Sequence, residues 1–505
     1  MNINNKRIAQ NTLMLYFRMI LTMGVSLYTS RVVLEVLGVE DFGIYSVVGS
    51  VVVMFGFLNY AMSTATQRFF SFELGRKNID QLKKVFSLSV SIHAIIAIFI
   101  FLLAETIGLW FLNARLAIPL ERMETANWVY QFSVFTFMVN VMAVPYNAAI
   151  ISHERMNIYA YVSILEVILR LAIVFLLQCF EFDKLQLYAI FVFIVSLIIR
   201  VVYQVYCKRK FEECTYRFVW DKDLFIKMTS FSGWSLFGQL SRMGVNQGID
   251  FALNIYFGVI INAATGVANQ VLNAVRNLVN NFQTAFNPQL IQTYSSGNLE
   301  VHRILLSRAS RISYYLLYII SLPVLINTSY ILHLWLKEVP DHSVTFTQLI
   351  ITFSLVEALG APLWMSMQAT GKIKTYQIIV SSINALNIPI AFVCLYQGLA
   401  VESIFYAKIL IGLLMYIFRV LYILPLINFS YMDYFKKVVY PTVAITLFTI
   451  CILLIVSTYL DGGEKLLITT PLSIVLCAGS IYYIGINKQE KQTILQIIKK
   501  WKIQI

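Results

Sequence analysis

Five long stretches of this chain contain no Asp, Glu, Lys or Arg: 85–104, 125–152, 375–401, 438–460 and 466–487. A hydrocarbon layer of about 30 Å is crossed by about 20 apolar residues in a helix. In lipid the backbone must satisfy its own hydrogen bonds, which a helix does within one segment. A soluble core helix would keep a polar face. Composition agrees: 59% of the 505 residues are hydrophobic and 13% charged, where a soluble domain carries about 25% charge. The chain therefore reads as an all-α integral membrane protein of about fourteen transmembrane helices. The expected spans are 11–36, 42–70, 85–112, 123–150, 161–181, 186–206, 229–257, 262–290, 312–336, 345–370, 375–397, 403–426, 438–460 and 466–487. The polar start, MNINNKRIAQ, with no small-residue cleavage site behind the first apolar segment, predicts that this segment is retained as a span. Cys179, Cys207, Cys214, Cys394, Cys451 and Cys477 lack CxxC spacing and read as packing residues.

Lys and Arg in short loops set orientation. With the N-terminus inside, the inner loops hold Arg76, Lys77, Lys83 and Lys84; then Lys208, Arg209, Lys210, Arg217, Lys222 and Lys227; then Arg303, Arg308 and Arg311. The outer loops hold Arg115, Arg122, Lys184, Lys337 and Lys465. Both termini are thus expected in the cytoplasm of a multi-pass inner-membrane protein. The net charge of +13 is this bias, dispersed over many loops, and excludes a nucleic-acid role.

The halves repeat. Met23-Gly24-Val25 recurs as Met243-Gly244-Val245, Gly38-Val39 as Gly258-Val259, Gly75 as Gly297, Pro145 as Pro362 and Tyr159 as Tyr376, all in order and at a nearly constant offset. Six helices per half is an even number, so the two lobes are expected to be related by a pseudo-two-fold axis along the membrane normal. The expected organisation is a first lobe, 1–206; a cytoplasmic linker, 207–228; a second lobe, 229–426; two extra helices, 427–487; and a cytoplasmic amphipathic tail, 488–505, on the inner leaflet.

Polar residues form stripes at helical spacing. Span eight carries Asn262, Asn269, Asn273, Arg276, Asn277, Asn280, Thr284 and Asn287 within an arc of roughly 100°. Span seven carries Ser235, Gln239, Arg242, Asn246, Asp250 and Asn254. Span one carries Asn11, Arg18, Thr22, Ser26 and Thr29; span two carries Gly49, Gly56, Asn59, Ser63 and Gln67. The simplest assembly turns all four stripes into one water-accessible cleft; interhelical hydrogen bonding is the competing reading. An arginine in lipid is costly, so Arg18, Arg242 and Arg276 are the expected anion ligands, with Asn246, Asn269, Asn273 and Asn277 beside them. Guanidinium suits a phosphate or diphosphate; amides suit a sugar. Two roles are open to Asp250: proton or sodium coupling, or charge compensation for Arg242. Arg31 and Glu35, four residues apart, read as a structural ion pair or a gate; Glu166 and Arg170 form another such pair. Arg68, Arg170, Arg200 and Arg419 are expected near helix ends, snorkelling. Glu357 and Lys408 read as isolated.

No GxxxxGK[ST] loop, HExxH or His/Cys cluster is present, so neither a cofactor nor a metal is expected. The longest outer loop, 113–122, is short for an extracytoplasmic active site, so the chain does not read as an enzyme.

Residues 29–78, with Arg31, the LGVEDFG turn at 37–43 and Gly75, resemble the start of bacterial polysaccharide-export (Wzx-type) flippases of the multidrug/oligosaccharidyl-lipid/polysaccharide (MOP) superfamily. VPYNAAIISHERM (144–156) and the amide-rich span eight are similar to that family too. The resemblance implies two six-helix lobes plus two helices, which hold a groove for a polyprenyl tail. It implies alternating-access translocation of undecaprenyl-diphosphate-linked oligosaccharide for O-antigen, capsule or exopolysaccharide. The expected partners are membrane lipid and this substrate. A monomer is expected, with polysaccharide polymerase and chain-length machinery as candidate associates. A cation-coupled drug antiporter of the same superfamily and a membrane polymerase are the alternatives.

Overall fold

The computed structural model describes residues 5–53, 56–115, 118–336, 338–460, 462–487 and 490–491, and among them the regular structure is entirely helical. Helix α1 (Asn5–Val53) is broken at Gly38 and is followed by α2 (Gly56–Arg76). Then come α3 (Ile79–Ala114), α4 (Leu120–Ser152), α5 (Met156–Cys179) and α6 (Lys184–Lys210). Two long helices follow, α7 (Lys222–Phe257) and α8 (Val259–Ser295). The remaining long helices are α9 (Leu299–Ile326), α10 (Ser343–Thr370), α11 (Ile373–Tyr396), α12 (Ser403–Leu426), α13 (Tyr431–Ser457) and α14 (Gly462–Gly485), with a short helix, Thr328–Trp335, between α9 and α10. Eleven helices among the described residues are long and apolar enough to cross a membrane. The remaining expected spans, covered by the end of α1 with α2, by α7 and by α8, are helical but carry the polar stripes.

Helices outrun the expected spans. Lys83, Lys84, Lys208, Arg209, Lys210, Lys222 and Lys227 sit on helical extensions, not in loops; the non-helical connection between α6 and α7 is 211–221. Arg308 and Arg311, counted above with the inner-loop charges, are buried on α9. Each lies 2.9 Å from Glu490 just beyond α14, and Arg311 also donates to the Gly485 carbonyl at 2.6 Å. These contacts fix the end of α14 to α9. Apart from Glu490 and Lys491, the expected amphipathic tail lies outside the described residues, as does Lys337.

The chain divides into two compact units, an N-terminal one of 10–236 and a C-terminal one of 237–505 with 1–9, the break falling within α7. In the N-terminal unit, Val48 and Val52 of α1, Leu112 of α3, Val129 and Tyr130 of α4 and Ala189 of α6 share a buried core. The Tyr130 hydroxyl donates to the Ala104 carbonyl at 2.8 Å, where α3 widens into a π-turn over Ala104–Gly108. A Cβ at Gly108 would sit 2.0 Å from that hydroxyl, so the site requires glycine. In the C-terminal unit, α8 buries Ile261, Ala264, Ala268 and Leu272 in a core with α7, α10, α11 and α12.

The internal repeat has a backbone signature. Gly38 (φ 81°, ψ 168°) and Gly258 (φ 76°, ψ −171°) both interrupt a helix pair in a conformation that side chains rarely adopt. Lys77 and Gly297, separated by the same offset, both have left-handed φ. Asn78 and Asn298 follow them, and each accepts from the amide of the third residue on, at 3.0 and 3.2 Å. The glycine match expected from sequence, Gly75 with Gly297, is therefore corrected by two positions: the turn places Lys77 there. Glu154 and Gly371 are a third left-handed pair at nearly that offset. Asp183 and Glu402, again at nearly that offset, each stand at the N-cap position, of α6 and α12.

Arg122 ties three elements of the N-terminal unit together. It bonds Asp41 through Nε at 3.0 Å and Nη2 at 2.6 Å, and Asp183 through Nη1 at 2.6 Å. Asp183 meanwhile caps α6 through the amides of Leu185 and Gln186. Burial pushes the Asp183 carboxyl up, but bonds from Arg122 and from the Gln186 and Leu185 amides outweigh it and hold the group below the usual range. Its contribution to stability is thus present above the unfolded-state value of about 3.9 and is lost as pH falls through the lower folded value. Arg122→Ala strands two carboxylates together and is expected to cost about 2 kcal/mol, read as a lower melting temperature in detergent. Asp183→Asn should flatten the fall in melting temperature on acidification below about pH 4; an unchanged acid slope would show that Asp183 carries none of it.

Candidate functional site

Helix α8 has two sharply different faces. Ala264, Ala268, Leu272, Val275, Val279 and Phe282 recur at three- and four-residue spacing and are buried. On the opposite face Asn269, Asn273, Asn277 and Asn280 are all exposed. Glue between helices would bury these amides against a neighbour; they are instead open. Arg276 borders this face and is half-buried.

The structure brings Arg276 together with residues that sequence reasoning set apart. Arg276 Nη2 donates to Glu357 Oε2 of α10 at 2.6 Å. The expectation that Glu357 is isolated is therefore wrong: a carboxylate on an apolar helix needs a cation, and α8 supplies one. Arg242 of α7 and Arg419 of α12 also lie within electrostatic reach of Glu357. Lys408, nearer the start of α12, donates to Asn246 Oδ1 at 3.3 Å and lies over the Phe353 ring at 5.3 Å. It too is not isolated: it is in electrostatic reach of both Glu357 and Asp250. Asp250 has Lys408 as the cation in its reach, and its backbone carbonyl accepts from Asn262 at 3.3 Å. The carboxylate near Arg242 is Glu357.

Arg419 is the largest departure from expectation. It does not snorkel at a helix end but is buried, 7% exposed. A Cβ on Gly360 would lie 2.5 Å from its Nη1, so that glycine opens the room it occupies. Arg68 is likewise buried, 6% exposed, with its guanidinium 4.7, 4.4 and 5.7 Å from the Phe69, Phe72 and Phe231 rings. Cation–π contact replaces the solvation that snorkelling would have supplied. Arg200 is half-buried and bonds Gln204 at 3.0 Å.

Arg18 belongs to the N-terminal unit. It lies 4.7 Å above the Tyr159 ring and donates to Ser163 Oγ at 3.4 Å on α5. Asn11, on the same stripe, is buried and donates to the Glu154 carbonyl at 3.2 Å. Arg18 thus faces α5 and Asn11 the turn that precedes it, both within their own unit. Glu166 and Arg170 pair at 2.8 Å. Arg31 and Glu35 are both exposed, and no ion pair joins them among the described contacts. Among the described residues no group of His, Cys, Asp and Glu is arranged to hold a metal ion.

The C-terminal unit thus gathers Arg242, Arg276, Lys408 and Arg419 around Glu357 and Asp250, beside an open row of amides. The missed members had a signal: single charges in apolar helices α10 and α12 demand partners, and Gly360 marks where a large one fits.

Eleven helices long and apolar enough to cross a membrane, arranged in two compact units among the described residues, define a multi-pass membrane protein fold. The chain belongs to the family of polysaccharide biosynthesis proteins, whose model matches residues 8–294. Its fold is similar to an outward-facing multidrug resistance MATE family transporter of the MOP superfamily (TM-score 0.71, 13% identity, 84% of this chain and 96% of that one). It is also similar to a MOP superfamily transporter from Pyrococcus furiosus, described as having a binding pocket of reverse polarity that suggests a different function (0.67, 12%, 83% and 96%). A third similar structure is the MATE transporter ClbM in complex with Rb+ (0.68, 12%, 82% and 94%). No curated protein matches the chain significantly in sequence.

If the amide face of α8 lines water, Asn273→Cys and Asn277→Cys should react with a membrane-impermeant maleimide in cells, in a background with the native cysteines replaced. Leu272→Cys and Val275→Cys, on the buried face, should not. Equal labelling of both faces, or of neither, would rule out a wetted amide row.

Proposed function

We propose that this protein is a flippase for undecaprenyl-diphosphate-linked oligosaccharide, serving surface polysaccharide assembly (O-antigen, capsule or exopolysaccharide) by alternating access in the bacterial cytoplasmic membrane. The observation that carries the reading is the sign of the charge in the C-terminal unit. Four cations, Arg242, Arg276, Lys408 and Arg419, stand with two carboxylates, Glu357 and Asp250. An interior with excess guanidinium attracts an anion and repels a cationic drug. The exposed amides of Asn269, Asn273 and Asn277 offer the donors and acceptors a saccharide needs. Membership of the polysaccharide biosynthesis family supports the same reading.

In this proposal Arg242 and Arg276 hold the diphosphate. Asp250 balances or couples through Lys408. Both termini are cytoplasmic, no cofactor takes part, the protein makes no covalent bond to its substrate, and polymerase and chain-length proteins receive the product. The second reading, a cation-coupled multidrug antiporter, draws on the MATE fold neighbours; its cargo chemistry does not suit the cation excess.

Deleting the gene should stop surface glycan export and leave lipid-linked repeat units on the inner leaflet. Complementation with Arg242→Ala is expected to restore at most about a tenth of export, the loss of one charge-assisted contact of about 1.5–3 kcal/mol. Normal export by both Arg242→Ala and Arg276→Ala, at wild-type expression, would remove the diphosphate site. Altered drug susceptibility with an unchanged glycan would favour the antiporter.

A further inference from the structure

A transporter that binds a multivalent anion must solve a second problem: what its arginines do between substrates. A guanidinium left unpaired in a low-dielectric interior costs several kcal/mol. We propose that Glu357 is a resident stand-in anion at Arg276, displaced by the diphosphate of the substrate and then received by Lys408. This rests on the flippase reading and specifies how its anion site is kept when empty.

Three observations lead there. First, the pair is made but not sealed. Arg276 and Glu357 meet at 2.6 Å, while their side chains keep 35% and 17% exposure. A ligand arriving along the open amide row reaches Arg276 from its exposed side. Second, one carboxylate serves several cations. Arg276, Arg242 and Arg419 all lie in reach of Glu357, and Arg242 has no protein hydrogen bond among the described contacts. A diphosphate, with more charge and more acceptor oxygens than a carboxylate, is the better partner for two adjacent guanidinium forks. Third, the displaced carboxylate has somewhere to go. Lys408 lies in electrostatic reach of both Glu357 and Asp250, yet its described hydrogen bond is a long one to the neutral amide of Asn246, at 3.3 Å. Swinging Glu357 from Arg276 to Lys408 keeps Glu357 beside a cation and Arg276 beside an anion at both stages.

The arrangement is not a by-product of the duplicated scaffold. In the register that pairs Gly38 with Gly258 and Lys77 with Gly297, Arg242, Asp250 and Arg276 correspond to Thr22, Ser30 and Gly56. In the register that pairs Glu154 with Gly371, Glu357 corresponds to Asn140. In the register that pairs Asp183 with Glu402, Lys408 corresponds to Ala189. All five N-terminal counterparts are uncharged; Arg419, which takes no part in the exchange, is the one cation of the cluster with a charged counterpart, Arg200. The exchange set was built, or retained, in one unit alone. It also has a transport rationale: an internal competitor weakens binding and so permits release, where a vacant arginine pair would hold a diphosphate too tightly.

The test uses the full-length protein in lipid nanodiscs, with farnesyl diphosphate as probe and farnesol as the uncharged control. Glu357→Gln, which removes the competitor and keeps its shape, should bind the diphosphate about tenfold more tightly than wild type and farnesol equally well. Lys408→Gln should bind the diphosphate more weakly, because the displaced carboxylate has lost its acceptor. Should the Gln variant fail to fold, Glu357→Asp, whose shorter arm loosens the pair, is expected to show a smaller tightening. Binding by Glu357→Gln that is equal to or weaker than wild type, in a protein of normal melting behaviour, would overturn the exchange and make Glu357 a prop for Arg276. Wild type that binds no polyprenyl diphosphate would overturn the flippase reading as well. Normal wild-type binding with the wrong rank order overturns the exchange alone.

Discussion

Hydrocarbon offers no hydrogen-bond partner, and every level of this structure answers to that absence. It forces the backbone into helices, which is why regular structure here is helical throughout the described residues. It then acts on side chains. Each charge inside a span must find a protein partner, an aromatic face or water. Glu357 takes Arg276, Arg68 takes three phenylalanine rings, and Arg311 takes Glu490 and a carbonyl at the end of α14. The charges are thus the fixed points around which helices are positioned, and the apolar bulk fills the space between them.

How much of this the sequence discloses follows from the range of the interactions. Run length and periodicity are local, so the helices, the two faces of α8 and the repeat are legible. Span ends are not, because helices continue past the apolar run as far as the backbone can be capped: α3 begins at its Asn78 cap, not at the first apolar stretch. The repeat register slips by two at Gly75 for a related reason. A glycine reads as the marker of a left-handed turn, but the N-terminal unit places Lys77 in that conformation. What the two turns share is geometry and the Asn cap, and only the second is written in a side chain.

The site is legible by helix and illegible by pair. Arg242, Arg276 and Asp250 stand out because each lies on a striped helix. Glu357, Lys408 and Arg419 lie on α10 and α12, whose remaining residues are mostly apolar, so periodicity has nothing to amplify. Their partners are 81 and 162 residues away for Glu357 and Lys408, a separation that only tertiary packing closes. Span one is ambiguous for the opposite reason. Arg18 meets Tyr159 and Ser163 of α5 and Asn11 the turn before it, and an interhelical partner and a wetted cleft give the same periodic pattern.

The two units show how a duplicated membrane scaffold can specialise. Positions that set backbone shape are held in both: the helix breaks at Gly38 and Gly258, the left-handed residues at Glu154 and Gly371, and the N-cap carboxylates Asp183 and Glu402. Most charged positions inside the spans are not, Arg200 and Arg419 being an exception in the register of Asp183 and Glu402. Where the N-terminal unit sets Arg18 over Tyr159, the corresponding position of the C-terminal unit is Gly238, where a Cβ would collide with the Gln377 side chain. Conversely, Arg242, Asp250, Arg276, Glu357 and Lys408 of the C-terminal unit have neutral counterparts. A helix bundle in lipid tolerates few unpaired charges, so a second cluster of equal size would need a second set of counter-ions. With Arg242, Arg276, Lys408 and Arg419 in one unit and two carboxylates among them, Glu357 must answer to more than one cation, and its position on α10 is set by that demand.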